Sequence, residues 1–168
     1  MTIMAPPAYA TSPNILALAA CEGTRLSLIH GICAESASNF AIYGSFIAGA
    51  FGWAESGYSY GKMSLKVMEK FNKKSILVQV IGLHYHFLLP WKEPYRDGIT
   101  PLEKAQLLSY DAGNFDYVGW NACFVTNLMF MAGRTIPDLI KSSEKYDDLL
   151  TKIRQKSGLY IIHTYLQM

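Results

Sequence analysis

The stretch Glu55–Asn72, ESGYSYGKMSLKVMEKFN, decides how the rest of the chain is read. Tyr58, Gly61, Leu65 and Met68 recur at steps of three and four residues, which places them on one face of an α-helix. Tyr60, Met63 and Val67 form a second, adjacent apolar stripe. A helix apolar over so wide an arc must touch neighbours on two sides. Gly61 sits in the middle, where it costs about 1 kcal/mol relative to Ala. The close approach of a partner helix is expected to offset that cost, because no side chain intervenes.

Working outward, the same organisation returns when the sequence is slid along itself by about 40 residues. Ile15–Gly31, Glu55–Asn72 and Tyr95–Asn114 each read as a helix closing on a Gly- or Asn-bearing loop, and a fourth copy begins near Thr135. Each of the first three is followed by a more apolar helical run: Ser36–Phe51, Ser75–Trp91 and Phe115–Ala132. In the last of these runs, Val118, Ala122, Val125, Met129 and Ala132 repeat the helical spacing. The expected fold is therefore all-α: an α-solenoid of antiparallel, tetratricopeptide-like helix pairs over residues 15–51, 55–91, 95–132 and 135–168, the last incomplete. Residues 1–168 read as one helical-repeat segment. Such an array presents surface and as a rule carries no chemistry.

Boundary chemistry supports the division. Thr135-Ile136-Pro137-Asp138 supplies a hydroxyl for an orphan N–H with an acid three residues on. Thr100-Pro101-Leu102-Glu103 has the same form with Pro at a first helical position, which predicts a helix start at Pro101 and a looser turn over Tyr95–Ile99. Asp111-Ala112-Gly113-Asn114 closes one helix and caps the next. After Thr135, an inner face of Leu139, Tyr146, Leu150 and Ile153 opposes Lys141, Glu144, Lys145, Asp147, Asp148 and Lys152 on a solvated side. Asp148 and Lys152 are placed to pair along that side.

Composition narrows the classes of function. Half the 168 residues are apolar and 17% are charged, which excludes a disordered chain. The formal charge of +2 is spread along the sequence, so no basic face for nucleic acid forms, and a neighbouring domain or a protein partner fits better. Cys21, Cys33 and Cys123 are odd in number and widely spaced. They read as small buried residues of a reducing, cytoplasmic compartment rather than as a disulfide framework or zinc site. Leu18-Ala19-Ala20-Cys21 has the form of a lipoprotein cleavage box. No basic residue precedes it, Pro6, Pro7 and Pro13 interrupt its approach, and the helical pattern runs through Cys21 to Leu28. The longest apolar run, Ile76–Leu89, carries Gln79, His84 and His86 and falls short of the roughly 18 uninterrupted residues of a membrane span.

Chemistry-bearing groups are sparse. His84-Tyr85-His86 is the strongest, but residues two apart on a helix point about 200° from each other, so the two imidazoles cannot share a metal there. His30 and His163 lack ligand-type neighbours at metal spacing. Ser27, Ser36 and Ser38 lie near His30 in sequence without the elbow or third group of a nucleophilic triad. No phosphate-binding or dinucleotide loop occurs. No catalytic, cofactor-binding or metal-binding residue is assigned. Trp53, Tyr58, Tyr60, Trp91, Tyr95, Tyr117 and Trp120 cluster near helix ends, where packing between repeats accounts for most of them and a partner groove could use one or two.

The run Leu26–Tyr43 and, above all, Gly57-Tyr58-Ser59-Tyr60-Gly61-Lys62-Met63-Ser64-Leu65-Lys66-Val67-Met68-Glu69-Lys70-Phe71-Asn72 resemble a helical region of very large bacterial, algal and fungal signalling kinases. The pattern there is roughly G-Y-x-[FY]-G-x-[LM]-[AS]-L-x-[LV]-[LM]-E-[KR]-F-[NS]. Trp91-Lys92-Glu93-Pro94 with Arg96 and Asp97 is similar to a W-K-[ED]-[PH]-x-R-[DE] turn of the same region. Pro101-Leu102 followed by Asp111–Tyr117 is similar to its next segment, and Pro7–Asn14 to its approach. The resemblance spans nearly the whole chain. Phe51-Gly52-Trp53-Ala54 departs from the usual Gly-Asp-like turn. Trp120–Met131 lacks the Tyr- and His-rich helix, with Cys123, Phe124, Met129 and Phe130 instead, so no ligand site of that helix carries over.

That resemblance implies a fragment, or a severely shortened homologue, of a protein joining a serine/threonine-kinase-like domain, an AAA-type ATPase, tetratricopeptide-like repeats, a GAF sensor and a histidine kinase. ATP and Mg would belong to the other domains; the kinase residues lie outside this segment, and no cofactor is expected in it. The expected role is a non-catalytic scaffold coupling those domains. A free-standing adaptor that binds a peptide or helix in the groove is the alternative, and an enzyme centred on His84–His86 a third reading. Exposed apolar ends of the array would also favour self-association.

Overall fold

The computed structural model describes residues 8, 9 and 11–167; Pro6, Pro7 and the start of the Pro7–Asn14 approach lie outside them. Among the described residues the chain is all helical, without a strand. It divides into two compact units, residues 1–92 and 93–168.

The first unit holds α1 (Pro13–His30), α2 (Ala34–Phe51), α3 (Ala54–Lys70) and α4 (Lys74–Leu83). α2 is its central element and packs against α1, α3 and α4. Its residues from Ser36 to Ile42 are buried without a break, which is what a helix contacted on several sides requires. The core joins Ala34, Ala37 and Phe40 of α2 to Val67 and Met68 of α3 and to Ile76 and Val80 of α4. α3 packs more extensively on the preceding α2 than on α4, its partner in the expected pair. The reason lies in two glycines. A Cβ at Gly44 would stand 2.7 Å from the Gly57 carbonyl oxygen, and one at Gly57 would stand 2.6 Å from that of Gly44. The two backbones therefore meet directly, closer than any side chain allows.

The buried line of α3 is Gly57, Gly61, Ser64, Val67 and Met68, with Tyr58, Tyr60, Met63 and Leu65 half-buried beside it. Both expected stripes thus flank a centre made of small residues. Gly61 is crowded as its position suggested: an added Cβ would meet His84 Nδ1 at 2.5 Å and Leu88 Cδ1 at 2.6 Å. Side chains, rather than backbone, fill the space.

Ser75–Trp91 is not one regular helix. Beyond Leu83 the chain opens into a π turn, His84–Leu88, and then tightens into a 3₁₀ turn, Leu89–Trp91. Pro90 explains the break, since it has no N–H for the His86 carbonyl and its ring collides with that carbonyl in an α-helix. The Leu89 N–H instead donates to the His84 carbonyl, five residues back.

The second unit holds α5 (Tyr95–Asp111), α6 (Phe115–Met131), α7 (Ile136–Lys152) and α8 (Lys156–Leu166). α5 corrects the expected start at Pro101. The helix begins at Tyr95 behind the extended Pro94, and Pro101 lies inside it, so the Asp97 carbonyl loses its usual donor. Burial of Gly98, Ile99 and Leu102 on either side of the proline offsets that loss. α6 touches α5, α7 and α8, and every residue from Asn121 to Val125 is buried. On α7, Leu139, Tyr146 and Leu150 are buried as the sequence pattern requires, and Ile153, just past its end, is half-buried.

All three loops of this unit use the same turn. The Asn114, Arg134 and Gln155 N–H groups donate to Ser109, Met129 and Leu150, each at 3.0 Å or just below. Gly113, Gly133 and Arg154 hold the left-handed residue before each donor. Glycine suits that position; Arg154, at φ 56, adopts it with a side chain.

Candidate functional site

His84 and His86 lie in the π turn. His84 is 1% exposed and packs its ring 5.8 Å from Tyr58 and 5.0 Å, edge-on, from Tyr85. His86 stacks edge-on against Phe87 at 4.4 Å. Among the described residues, no three His, Cys, Asp or Glu side chains gather where one metal ion could be held. His84 is a wedge between α3 and the π turn, seated on Gly61.

The serines near His30 belong to a polar seam inside the first unit. Ser27 Oγ lies 2.7 Å from both the Gly23 carbonyl and Ser36 Oγ, and Ser36 Oγ accepts the Cys33 N–H at 3.1 Å. Ser38 donates to Gln79 Oε1 at 3.2 Å, joining α2 to α4. His30 itself is exposed at the end of α1, whereas Ser27, Ser36 and Ser38 are buried. The seam satisfies helix-interior hydroxyls and fixes how α1, α2 and α4 register.

The cysteines separate by environment, and one corrects its expectation. Cys123 is buried, and burial pushes its thiol up to about 12. Cys21 is half-buried. Cys33 is exposed, because it caps α2 with its sulfur 3.5 Å from Ser36 Oγ rather than filling a core. None of the three forms a disulfide. Through α1 the helix passes Cys21 without interruption, with Ala20 fully buried.

Two charged contacts escaped sequence reasoning because their partners are far apart in the chain. Asp147 on α7 meets His163 on α8 at 2.7 Å, and Glu35 on α2 meets Lys73 before α4 at 2.5 Å. The Lys73 ammonium holds the Glu35 carboxyl below its ordinary range, through a hydrogen bond first and charge last. Lys92 also pairs with Glu55. In the second unit, Gln155 Oε1 accepts the Gly158 N–H at 2.5 Å and its amide lies against Gly119, locking the loop before α8.

What remains outside these cores is large and apolar. Phe46, Phe51 and Trp53 form a chain of rings with centroids 5.5 and 5.3 Å apart, and Phe51 and Trp53 are more than half exposed. Trp91 is exposed as well. Of the other aromatics near helix ends, Tyr117 is buried, Tyr60 packs on Phe40 and Tyr43, and Trp120 lies half-buried beside Phe124. On α1, Ile15, Leu18, Leu26 and Ile29 stand outward. Among the described residues, no helix is long and apolar enough to cross a membrane. The exposed apolar side chains of the first unit are the candidate site. No family model, no curated protein and no solved structure matches the chain.

Proposed function

We propose that the chain is a non-catalytic, helical interaction module. In this reading it is a segment of a tetratricopeptide-like α-solenoid within a cytoplasmic multidomain signalling kinase, where it couples ATPase-like, sensor and histidine kinase domains through protein–protein contacts. The observation that supports it best is the contrast between well-packed helical interiors and large apolar side chains left outside them. Leu18, on α1, is 71% exposed, and Trp53, just before α3, 58%; the other side of each of these helices is buried. A surface of that kind is used by covering it. The Glu55–Asn72 motif supplies the kinase part of the reading, and a helical array that biases its neighbours would act by favouring one arrangement of them.

Sequencing the transcript that carries this chain tests the reading. It is expected to encode kinase-like and ATPase-like segments in the same frame; a transcript without either overturns it.

A second reading, a free-standing adaptor for a helix or peptide, is favoured by the Phe46–Phe51–Trp53 ring cluster. Exposed aromatics of this kind act as anchors in binding grooves. Capture of one stable partner by the purified chain, lost on Trp53→Ala, is the result that reading requires.

A further inference from the structure

The inner face of α1 is small and buried, comprising Ala20, Thr24 and Ser27. The opposite face carries Ile15, Leu18, Leu26 and Ile29, exposed by 57, 71, 40 and 60%. At about 100° per residue these four project within one arc, directly away from the buried side. Only the small-residue face is covered within the first unit, which leaves the larger apolar side chains of α1 outside it.

The arrangement of charge on that face says what covers it. Ile15, Leu18, Glu22, Arg25 and Ile29 follow the alternating three- and four-residue spacing of a helix–helix seam, with the charged pair at its centre. Glu22 and Arg25 now bond each other along the same helix at 2.6 Å, both more than half exposed. Let a second α1 lie antiparallel, related by a two-fold axis between residues 23 and 24. Residue 22 then faces 25 of the copy, and 18 faces 29. Each Glu22 meets an Arg25, each Leu18 meets an Ile29, and the contact repeats identically on the other side of the axis. Moving the axis onto residue 22 sets one Glu22 against the other, a like-charge juxtaposition that disfavours that register. The face is therefore self-complementary in one antiparallel register.

We propose that the outer face of α1 joins a second copy of this chain in an antiparallel, two-fold helix pair, aligned by reciprocal Glu22–Arg25 contacts. This goes beyond the interaction-module reading and does not depend on the kinase. α1 is about 27 Å long, so the interface is small and the dimer weak, with a dissociation constant on the order of micromolar.

Sedimentation equilibrium of the intact chain tests the pair, with circular dichroism confirming helical content in every variant. The wild type is expected to show reversible dimerisation between about 1 µM and 1 mM. Glu22→Arg alone and Arg25→Glu alone should each weaken it about tenfold or more, since each sets like charges across the axis. The double exchange E22R/R25E should restore it, and Leu18→Asp should abolish it. A wild type monomeric up to about 1 mM overturns the proposal, as when another helix of a longer polypeptide covers this face. So does a dimer indifferent to Leu18→Asp, or a double exchange that fails to recover what the single reversals remove.

Discussion

A methyl group at Gly57 would stand 2.6 Å from the Gly44 carbonyl oxygen and 2.7 Å from the Ala48 Cβ, and neither the backbone nor an alanine can turn aside. Gly57→Ala is therefore expected to destabilise the first unit by about 1–3 kcal/mol, although alanine is the better helix former. A lowered urea midpoint checks it, and an unchanged one would show that α2 and α3 separate freely. Cys123 makes a prediction in pH. Its ordinary thiol value is 9.0 and its folded value about 12, so the unfolded chain releases the proton first as pH rises. Between those values the folded state binds more protons, and stability falls with increasing pH; below pH 9 that stability is fully present and the group adds no pH dependence. The loss of urea stability from pH 8 to pH 10 should be smaller in Cys123→Ala than in the wild type. The burial of Cys123 is legible in the sequence, whereas the crowding at Gly57 is not. Gly57 and the buried Ser64 carry no hydrophobic signal, so apolar periodicity found the flanks of α3 and missed its centre. Cys33 was misplaced because composition cannot tell a capping residue from a core residue.

At the scale of the element, Thr135 and Thr100 present the same sequence signal with different outcomes. Thr135 Oγ1 accepts the Asp138 N–H at 3.3 Å and donates to the Asp138 carboxylate at 2.7 Å, so it caps α7. Thr100 lies in the sixth position of α5, where no orphan N–H waits. Thr135→Ala should cost about 1 kcal/mol, whereas Thr100→Ala should stay within about 0.5 kcal/mol; thermal unfolding of the two variants side by side checks the contrast. Apart from the start of α5 and the end of α4, most helix boundaries are legible within a few residues, because amphipathic spacing and Gly-Asn loop chemistry are local. Proline was the ambiguous signal. Pro137 starts a helix, Pro101 lies within one and Pro90 converts one to π winding, and only the surrounding packing decides among them.

At the scale of the molecule, the division into residues 1–92 and 93–168 falls between the second and third of the helix pairs expected from the sequence, 55–91 and 95–132, although nothing in the approximately 40-residue recurrence sets that gap apart from the others. It arises from long-range packing, with α2 gathering three helices in one unit and α6 three in the other. Native-state hydrogen exchange should accordingly resolve two cooperative groups of slow amides that meet near residue 92, with different opening free energies. A single group spanning both would contradict that expectation. Exposure is less legible: Trp53 and Trp91 face outward although the sequence assigns most aromatics near helix ends to packing, and the outward face of α1 is hidden in a run that reads as apolar throughout.

The π turn at His84–Leu88 has a further consequence. An i→i+5 turn accommodates one residue more than regular winding, so it works as a phase adjuster between α4 and the end of the first unit. Removing one residue from 84–88 would rotate the downstream side chains by about 100°. Leu88 and Leu89, now almost wholly enclosed, would swing out of the first unit, and Trp91 would turn from its present bearing. Loss of one codon in that turn would thus re-aim Leu88, Leu89 and Trp91 while leaving the helices before it intact.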